Sequence, residues 1–236
     1  MAKIILKSKD GRGYLADPVW GGRIALMLKI LVVLAVLPLF LILVYSVPFV
    51  RPISTLMVKD YVLLRDVDRQ WVSIEDVAPV LVNSVMMAED GQFCSHGGVD
   101  WHQLSLVLDD VGEGGPSRGA STITMQTVKN LFLWNGRSYV RKGLEFPLAL
   151  VADAVLSKQR IMEIYLNIAE WGPGIYGIEA AAQHYFNRPA SRLTAQQAAL
   201  LAVTLPNPAL RNPAKPTRNM QRISRIVSGR ASRAGP

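Results

Sequence analysis

Residues 80–100 read VLVNSVMMAEDGQFCSHGGVD, and this stretch decides the fold. Val77, Leu81 and Val85 recur at helical spacing and lead into Glu89. Asp76 is placed to cap that helix, and Pro79 falls in its first turn, where a missing N–H costs little. An apolar helix thus delivers two adjacent carboxylates, Glu89 and Asp90, into a glycine-containing turn. Burial at such a place raises a carboxylate's pKa towards neutrality, and packing fixes its position, which is what a general base needs. The plainer reading is an acidic pair that only polarises a helix end, although negative charge is unfavourable at a helix C-terminus. On these residues alone both readings stand. His96, taken by itself, reads as a structural hydrogen-bonding residue.

The helical pattern continues in both directions from this stretch. Residues 112–119, GEGGPSRG, form a loop. Residues 138–156 are helical in pattern, with Pro147 set to bend or interrupt them. Ser157 caps a helix running to about Ile168, and Gly172-Pro173-Gly174 breaks it. Residues 177–186 and 195–205 read as two more helices, the second opened by the capping box Thr194-Ala195-Gln196-Gln197. No internal repeat and no run of period-two strands stands out, so the fold class is mainly α.

Upstream, residues 30–50, ILVVLAVLPLFLILVYSVPFV, carry no charge and are long enough to cross a bilayer of roughly 30 Å as a helix. The residues that follow make a poor cleavage site, so this reads as an uncleaved anchor rather than a signal peptide. Lys3, Lys7, Lys9, Arg12, Arg23 and Lys29 precede it, which orients the N-terminus to the cytoplasm and the rest of the chain outside. The organisation read from composition is therefore a basic N-terminus (1–29), a span (30–50), a juxtamembrane connector (51–76), a domain (77–210) and a basic tail (211–236).

Half of the 236 residues are hydrophobic and the net charge is +8, but the charge sits at the two ends. The stretch up to Lys29 carries six basic and two acidic residues, and that from Arg211 carries seven basic and none acidic, which leaves the middle at −3. A nucleic-acid binder would place its charge on the folded domain. Basic ends fit anionic lipid, or a solvated tail without a partner. Cys94 is the only cysteine, which excludes an intramolecular disulfide and a zinc site built on cysteine pairs.

Three further stretches carry polar side chains at suggestive spacing. Residues 119–126, GASTITMQ, followed by Lys129, form a hydroxyl-rich turn entering a helix. Such a turn binds phosphate and sugar oxygens or simply caps the helix. In residues 141–145, RKGLE, Arg141, Lys142 and Glu145 share a helical face, as an exposed salt bridge or as a cationic grip on pyrophosphate. In residues 158–167, KQRIMEIYLN, Glu163 and Asn167 face the same way, to bind sugar hydroxyls or to stabilise the helix.

In order and spacing these stretches resemble the peptidoglycan glycosyltransferase family, especially its monofunctional membrane-anchored members. Residues 89–100 look like its E-D-x-x-F-x-x-H-x-G-x-D motif, 119–126 like G-x-S-T-I-T-Q-Q, 141–145 like R-K-x-x-E and 158–167 like K-x-x-I-L-E-x-Y-L-N. Met125 departs from the pattern, standing where the family has the first glutamine of the pair. A thioether cannot replace an amide's donors and acceptor. The resemblance implies a lysozyme-like α domain with a membrane-dipping second subdomain, built from residues 100–119 and neighbours up to about Trp134. It implies transfer of a growing glycan chain from undecaprenyl pyrophosphate to the 4-hydroxyl of lipid II, with inversion.

In that reaction Glu89 is the expected base. Arg141, Lys142 and Lys129 face the leaving pyrophosphate, with or without Mg²⁺ or Mn²⁺, and Glu145 holds the cations or the metal. Ser121, Thr122, Gln126, Glu163, Asn167 and His96 are the expected substrate contacts. No protein metal site and no organic cofactor are expected. The partners implied are the lipid-linked glycans, the cytoplasmic membrane and other cell-wall or division proteins, with no nucleic acid. No S-x-x-K motif follows residue 210, so no transpeptidase is expected. A membrane-anchored muramidase or lytic transglycosylase shares the fold but needs no pyrophosphate grip. A non-catalytic scaffold finds its only sequence support in Met125.

Overall fold

The computed structural model describes residues 5–7, 13–15, 18–112, 121–136 and 138–233. The chain divides into two units, Met1–Leu41 and Ile42–Pro236. The first holds an antiparallel pair, β1 (Ile5–Lys7) and β2 (Gly13–Leu15), and most of helix α1 (Pro18–Tyr45). Within α1, Gly22–Tyr45 is long and apolar enough to cross a membrane. The helix thus starts before the expected residue 30 and ends before residue 50. Pro48 disfavours helical backbone at Val47 and has no N–H to continue the ladder. The chain closes there in turns, with the Val50 N–H donating to the Val47 carbonyl at 3.1 Å. Pro38 lies inside α1 without ending it.

The second unit is mainly α, as expected. Its helices are α2 (Thr55–Val62), α3 (Pro79–Glu89), α4 (Trp101–Gly112), α5 (Ile123–Phe132), α6 (Tyr139–Val155), α7 (Lys158–Ile168), α8 (Ile178–Phe186), α9 (Ala195–Thr204) and α10 (Arg218–Ala231). A small sheet escaped the sequence reading: β3 (Asp68–Arg69) pairs parallel with β5 (Ile175–Tyr176), which pairs antiparallel with β4 (Glu170–Gly172). Its strands of two or three residues are too short to show a period. Helix α7 is the centre of the core: Ile161, Met162, Ile164, Tyr165, Leu166 and Ile168 are all buried, and α5, α6 and α8 pack on it.

Several boundaries differ from the sequence reading for local reasons. Asp76 does not cap α3; it lies in a 3₁₀ turn, Ile74–Asp76, and Ala78 occupies the N-cap with no side-chain bond. The connector 51–76 contains α2, whose Ser54 hydroxyl accepts the Met57 N–H at 3.1 Å. Helix α6 continues through Pro147. The carbonyl that a proline leaves unpaired is Gly143's, and Gly143 is exposed to water. Helix α5, grouped by the resemblance with the second subdomain, instead buries Ile123, Met125, Val128 and Leu131 in the main core. The loop 113–119 lies outside the described residues.

The stretch read as a basic tail carries α10. Met220, Ser224, Val227 and Ala231 recur at helical spacing and are buried as α10 packs on α3 and α9. Its arginines dominate the composition and masked that stripe.

Candidate active site

The first two motifs are joined through Asp90. Its carboxylate accepts the Ile123 N–H at 2.9 Å and faces His96 Nε2 at 3.0 Å. Thr122 caps α5: its hydroxyl accepts the Met125 N–H at 3.1 Å and donates to the Gly98 carbonyl at 2.6 Å. Gly98 has φ +85°, and a Cβ there would lie 2.5 Å from the Ala149 carbonyl oxygen, so the turn meets α6 only because this residue is glycine. Lys158 ties the turn to α7's start, donating to the His96 carbonyl at 2.7 Å and to Asp153 at 2.6 Å.

Glu89, at the end of α3, is left at the edge of a cavity of about 280 Å³ that Asp100, Gln103, Ser121 and Arg230 also line. Burial raises its pKa. A hydrogen bond from Gln126 Nε2 to Glu89 Oε2 at 2.8 Å and the charges of Lys129 and Arg211 oppose that rise, and Asp90 adds to it. The Gln126 carbonyl in turn accepts the Tyr165 hydroxyl at 3.0 Å. Tyr165 is wholly buried and its pKa is held well above the usual value, so it is a permanent donor. The chain Tyr165–Gln126–Glu89 fixes which amide edge faces the carboxylate.

The third motif is a buried cluster rather than a surface salt bridge. Glu145 is 2% exposed; one oxygen pairs with Arg141 and the other with Lys142 Nζ at 2.9 Å. Arg141 Nε also donates to the Gly136 carbonyl at 3.0 Å, and Lys142 donates to Ser121 Oγ at 2.7 Å. Lys129, largely buried, lines an adjoining cavity with Gln126 and Tyr165. Burial and the neighbouring cations depress both lysines, Lys142 to about 8. Arg141 and Lys142 share the Glu145 carboxylate, and Lys129 lies close enough to Arg141 and to Glu89 to feel both charges, so positive charge is in excess on this side of Glu89.

The structure therefore brings Glu89, Gln126, Lys129, Arg141, Lys142, Ser121 and Glu145 together. It places others elsewhere. Thr122 is 3% exposed and occupied as a cap. Asn167 is fully buried: it accepts the Val72 N–H and donates to the Val72 and Glu163 carbonyls, each at 2.8 Å. Glu163 pairs with Arg160 and accepts the Ile74 N–H at 3.3 Å. Glu163 and Asn167 thus fasten residues 72–74 to α7. His96 supports Asp90. Met125 points into the core and is 0% exposed, so the amide that this sequence lacks is not one that faces the cavity. Tyr165, which bonds Gln126, and Arg211 and Arg230, which line cavities beside Glu89, were missed: Tyr165 falls inside the helix read to about Ile168, and the two arginines belong to the supposed tail.

Among the described residues no group of three or more His, Cys, Asp or Glu side chains is placed to hold a metal ion. Both Glu145 oxygens already face cations, so the donor set does not fit a protein-held divalent ion.

This constellation of a buried carboxylate facing clustered cations on a helical domain has relatives. The transglycosylase family profile matches residues 56–232. The chain is 85% identical over 217 residues to a biosynthetic peptidoglycan transglycosylase of Brucella suis, covering 92% of this chain and 97% of that protein. Proteins of the same name from Rhizobium johnstonii and Rhizobium meliloti are 60% and 56% identical, over 89% and 95% of this chain and 85% and 95% of their own lengths. The chain belongs to the transglycosylase family, and it is a glycosyltransferase.

Proposed function

We propose that this enzyme polymerises peptidoglycan glycan strands, transferring the growing chain from undecaprenyl pyrophosphate to the 4-hydroxyl of lipid II. The observation that carries the reading is Glu89, its pKa raised by burial, beside the cations of α5 and α6. A sugar hydroxyl is a poor nucleophile at neutral pH and needs a base. Glu89 takes the 4-hydroxyl proton as that oxygen bonds to the donor's anomeric carbon. The bond from that carbon to the pyrophosphate oxygen breaks, and its electron pair leaves with the pyrophosphate. Displacement from the opposite face turns an α-linked donor into a β-1,4 product. Lys142, Arg141 and Lys129 stabilise the charge gathered on the leaving group. Glu145 positions Arg141 and Lys142, and Ser121, in contact with Lys142, lies within reach of the same phosphate. Any Mg²⁺ or Mn²⁺ requirement resides in the pyrophosphate, and no step runs through the metal.

The apolar helix Gly22–Tyr45 supports a single-pass setting in the cytoplasmic membrane, N-terminus inside, with the domain outside beside its lipid-borne substrate and other wall-assembly proteins. A muramidase displaces no pyrophosphate and has no use for the cations gathered at Arg141, Lys142 and Lys129.

The test is polymerisation of lipid II by the detergent-purified full chain, with and without chelator, and muramidase digestion of the product. Wild type is expected to give muramidase-sensitive strands and Glu89→Gln none. The raised pKa means that the folded state binds the Glu89 proton more tightly than the unfolded state, so this group's contribution to stability falls as pH rises through its folded value. Neutral Gln removes that cost, and Glu89→Gln is expected to melt at or above the wild-type temperature at pH 7. Full activity in Glu89→Gln overturns the base assignment. Sacculus digestion without polymerisation overturns the synthase reading.

A further inference from the structure

A second cluster of positive charge stands where the chain leaves α1, apart from Glu89 and its cations. The apolar segment Gly22–Tyr45 has 24 residues. At the helical rise it is about 36 Å long, against a hydrocarbon core of about 30 Å, so Tyr45 reaches the headgroup layer. The residues after it close in turns, and Arg160 of α7 donates to the carbonyls of Val47 and Val50. Arg51 follows at once as the first charge after the apolar run. It is exposed and makes no side-chain hydrogen bond or ion pair among the described residues. Arg69, on β3, is brought beside it. Its Nη2 donates to the Pro52 carbonyl, and its guanidinium lies 5.0 Å from the centre of the Trp71 ring. Its Nε is buried without a hydrogen-bond partner among the described residues. Burial lowers the Arg69 pKa; Tyr61 opposes that fall and Arg51 adds to it. No ion pair joins either arginine to a carboxylate among the described residues. Phe49 and Ile53, which flank Arg51 in the chain, are exposed, as is Tyr61.

Water accounts for Arg51, which is open to it. It does not account for Arg69, which is partly buried, keeps a buried N–H unpaired and faces a like charge. An anion held by both guanidinia offsets the repulsion and takes up the free donors. Depth selects which anion. The headgroup layer is where a phospholipid carries its phosphodiester, with the acyl chains on the hydrocarbon side, and it favours exposed aromatic side chains such as Phe49 and Tyr61 beside the cations. We propose that Arg51 and Arg69 form a binding site for the phosphate of an anionic phospholipid in the outer leaflet of the membrane, with Phe49 and Ile53 against the start of its acyl chains. The inference rests on the single-pass setting proposed above and not on the glycosyl transfer. Arginine suits the site because its planar fork meets phosphate oxygens two at a time and keeps its charge at every working pH. A lipid held there fixes the depth at which residues 46–53 leave the bilayer.

The experiment titrates the detergent-purified full chain with phosphatidylglycerol, phosphatidylcholine or inorganic phosphate and counts bound molecules by native mass spectrometry. The variants are Arg51→Gln, Arg51→Lys, Arg51→Gln/Arg69→Gln and Arg222→Gln, the last removing an exposed charge of α10. Wild type is expected to hold one phosphatidylglycerol at least about tenfold more tightly than phosphatidylcholine. Arg51→Gln is expected to weaken it roughly tenfold, one charge-assisted hydrogen bond's worth. Arg51→Lys recovers part of the loss, the double variant loses the preference, and Arg222→Gln keeps it. Arg51 has no internal hydrogen bond to lose, so Arg51→Gln reads the site even if the double variant folds poorly. Equal affinity for the two lipids overturns the inference. Equal losses in Arg51→Gln and Arg222→Gln overturn it too, since that is what diffuse net charge gives. Displacement of the phospholipid by equimolar undecaprenyl pyrophosphate makes this a substrate contact, and displacement by equimolar inorganic phosphate makes it a plain anion site; either sinks the phospholipid assignment. Protease added to sphaeroplasts tests the setting separately: the domain is expected to be cut, and a protected domain overturns the outer-leaflet assignment. Wild type that shows the lipid preference but polymerises no lipid II sinks the polymerase reading and leaves this site standing.

Discussion

At the scale of single residues, Glu89 is balanced between burial, which raises its pKa, and Gln126 with Lys129 and Arg211, which lower it. Removing Gln126's hydrogen bond lets burial prevail. In Gln126→Leu the acid limb of the rate profile is expected to move to higher pH and the maximal rate to fall, since a misplaced base costs rate as well as ionisation. Tyr165→Phe should do the same more weakly, because it frees the amide to flip without removing it. The basic limb has a different owner. Lys142 loses its proton around pH 8, where burial and Arg141 have brought it. Polymerisation is expected to decline above about pH 8, through kcat, because the charge lost is one that stabilises the leaving group. A rate that stays flat to pH 10 would remove Lys142 from the transition state. The same depressed pKa makes the folded protein release that proton before the unfolded chain does, so this group's contribution to stability rises with pH through about 8 while activity falls. Opposite trends from one residue distinguish its electrostatic role from a structural one.

At the scale of elements, the site depends on three segments meeting: the turn after α3, the start of α5 and the flank of α6. Gly98 is where they meet. A Cβ at φ +85°, 2.5 Å from the Ala149 carbonyl oxygen, forces either the turn or α6 to move. Gly98→Ala is expected to destabilise the domain by about 2–3 kcal/mol and to disturb Asp90 and Thr122 together. Gly91→Ala, where nothing lies within 4 Å, should be nearly silent, and equal melting shifts for the two would refute the argument. The elements themselves were legible where amphipathic period and caps agreed. Ser157, the Thr194 capping box and the stripe leading to Glu89 all foretold helices that exist. They were illegible where composition and period disagreed: the arginines of α10 hid Met220, Ser224, Val227 and Ala231. Sequence spacing could show that Glu163 and Asn167 share a face, but not which face. A residue pair on a helix buried all round, as α7 is, points to a partner segment as readily as to a cleft. The converse holds for Arg141, Lys142 and Glu145, where burial turned a surface-looking pair into a charged cluster.

At the scale of the whole molecule, the last turn of α1 belongs to the second unit, and one side chain accounts for much of that attachment. A helix ends with carbonyls that lack intrahelical partners. Arg160 Nε donates to the Tyr45 carbonyl at 2.9 Å, and Nη2 donates to the carbonyls of Val47, at 3.1 Å, and Val50. Its remaining nitrogen pairs with Glu163, and its guanidinium stacks 5.7 Å from the centre of the Trp71 ring. At 7% exposure, Arg160 is a buried cation satisfied on every edge, and Glu163 then orders residue 74. The fourth motif therefore joins the end of α1, the connector and α7. Arg160→Leu leaves Glu163 without its cation and the carbonyls of Tyr45 and Val50 without the Arg160 donor in one step, while Val47's keeps the Val50 N–H. Breaking a buried pair in this way costs about 3–5 kcal/mol, roughly 10 °C in melting temperature for a domain of this size. Arg65→Ala, which removes an ion pair to Asp60 whose arginine is 62% exposed, should cost under about 1 kcal/mol. Hydrogen exchange adds the location: in Arg160→Leu, residues 46–54 are expected to exchange faster while α9 and α10 keep their relative protection. A melting shift no larger than that of Arg65→Ala, or uniform loss of protection across the domain, would show that α1's last turn is held by its apolar contacts alone.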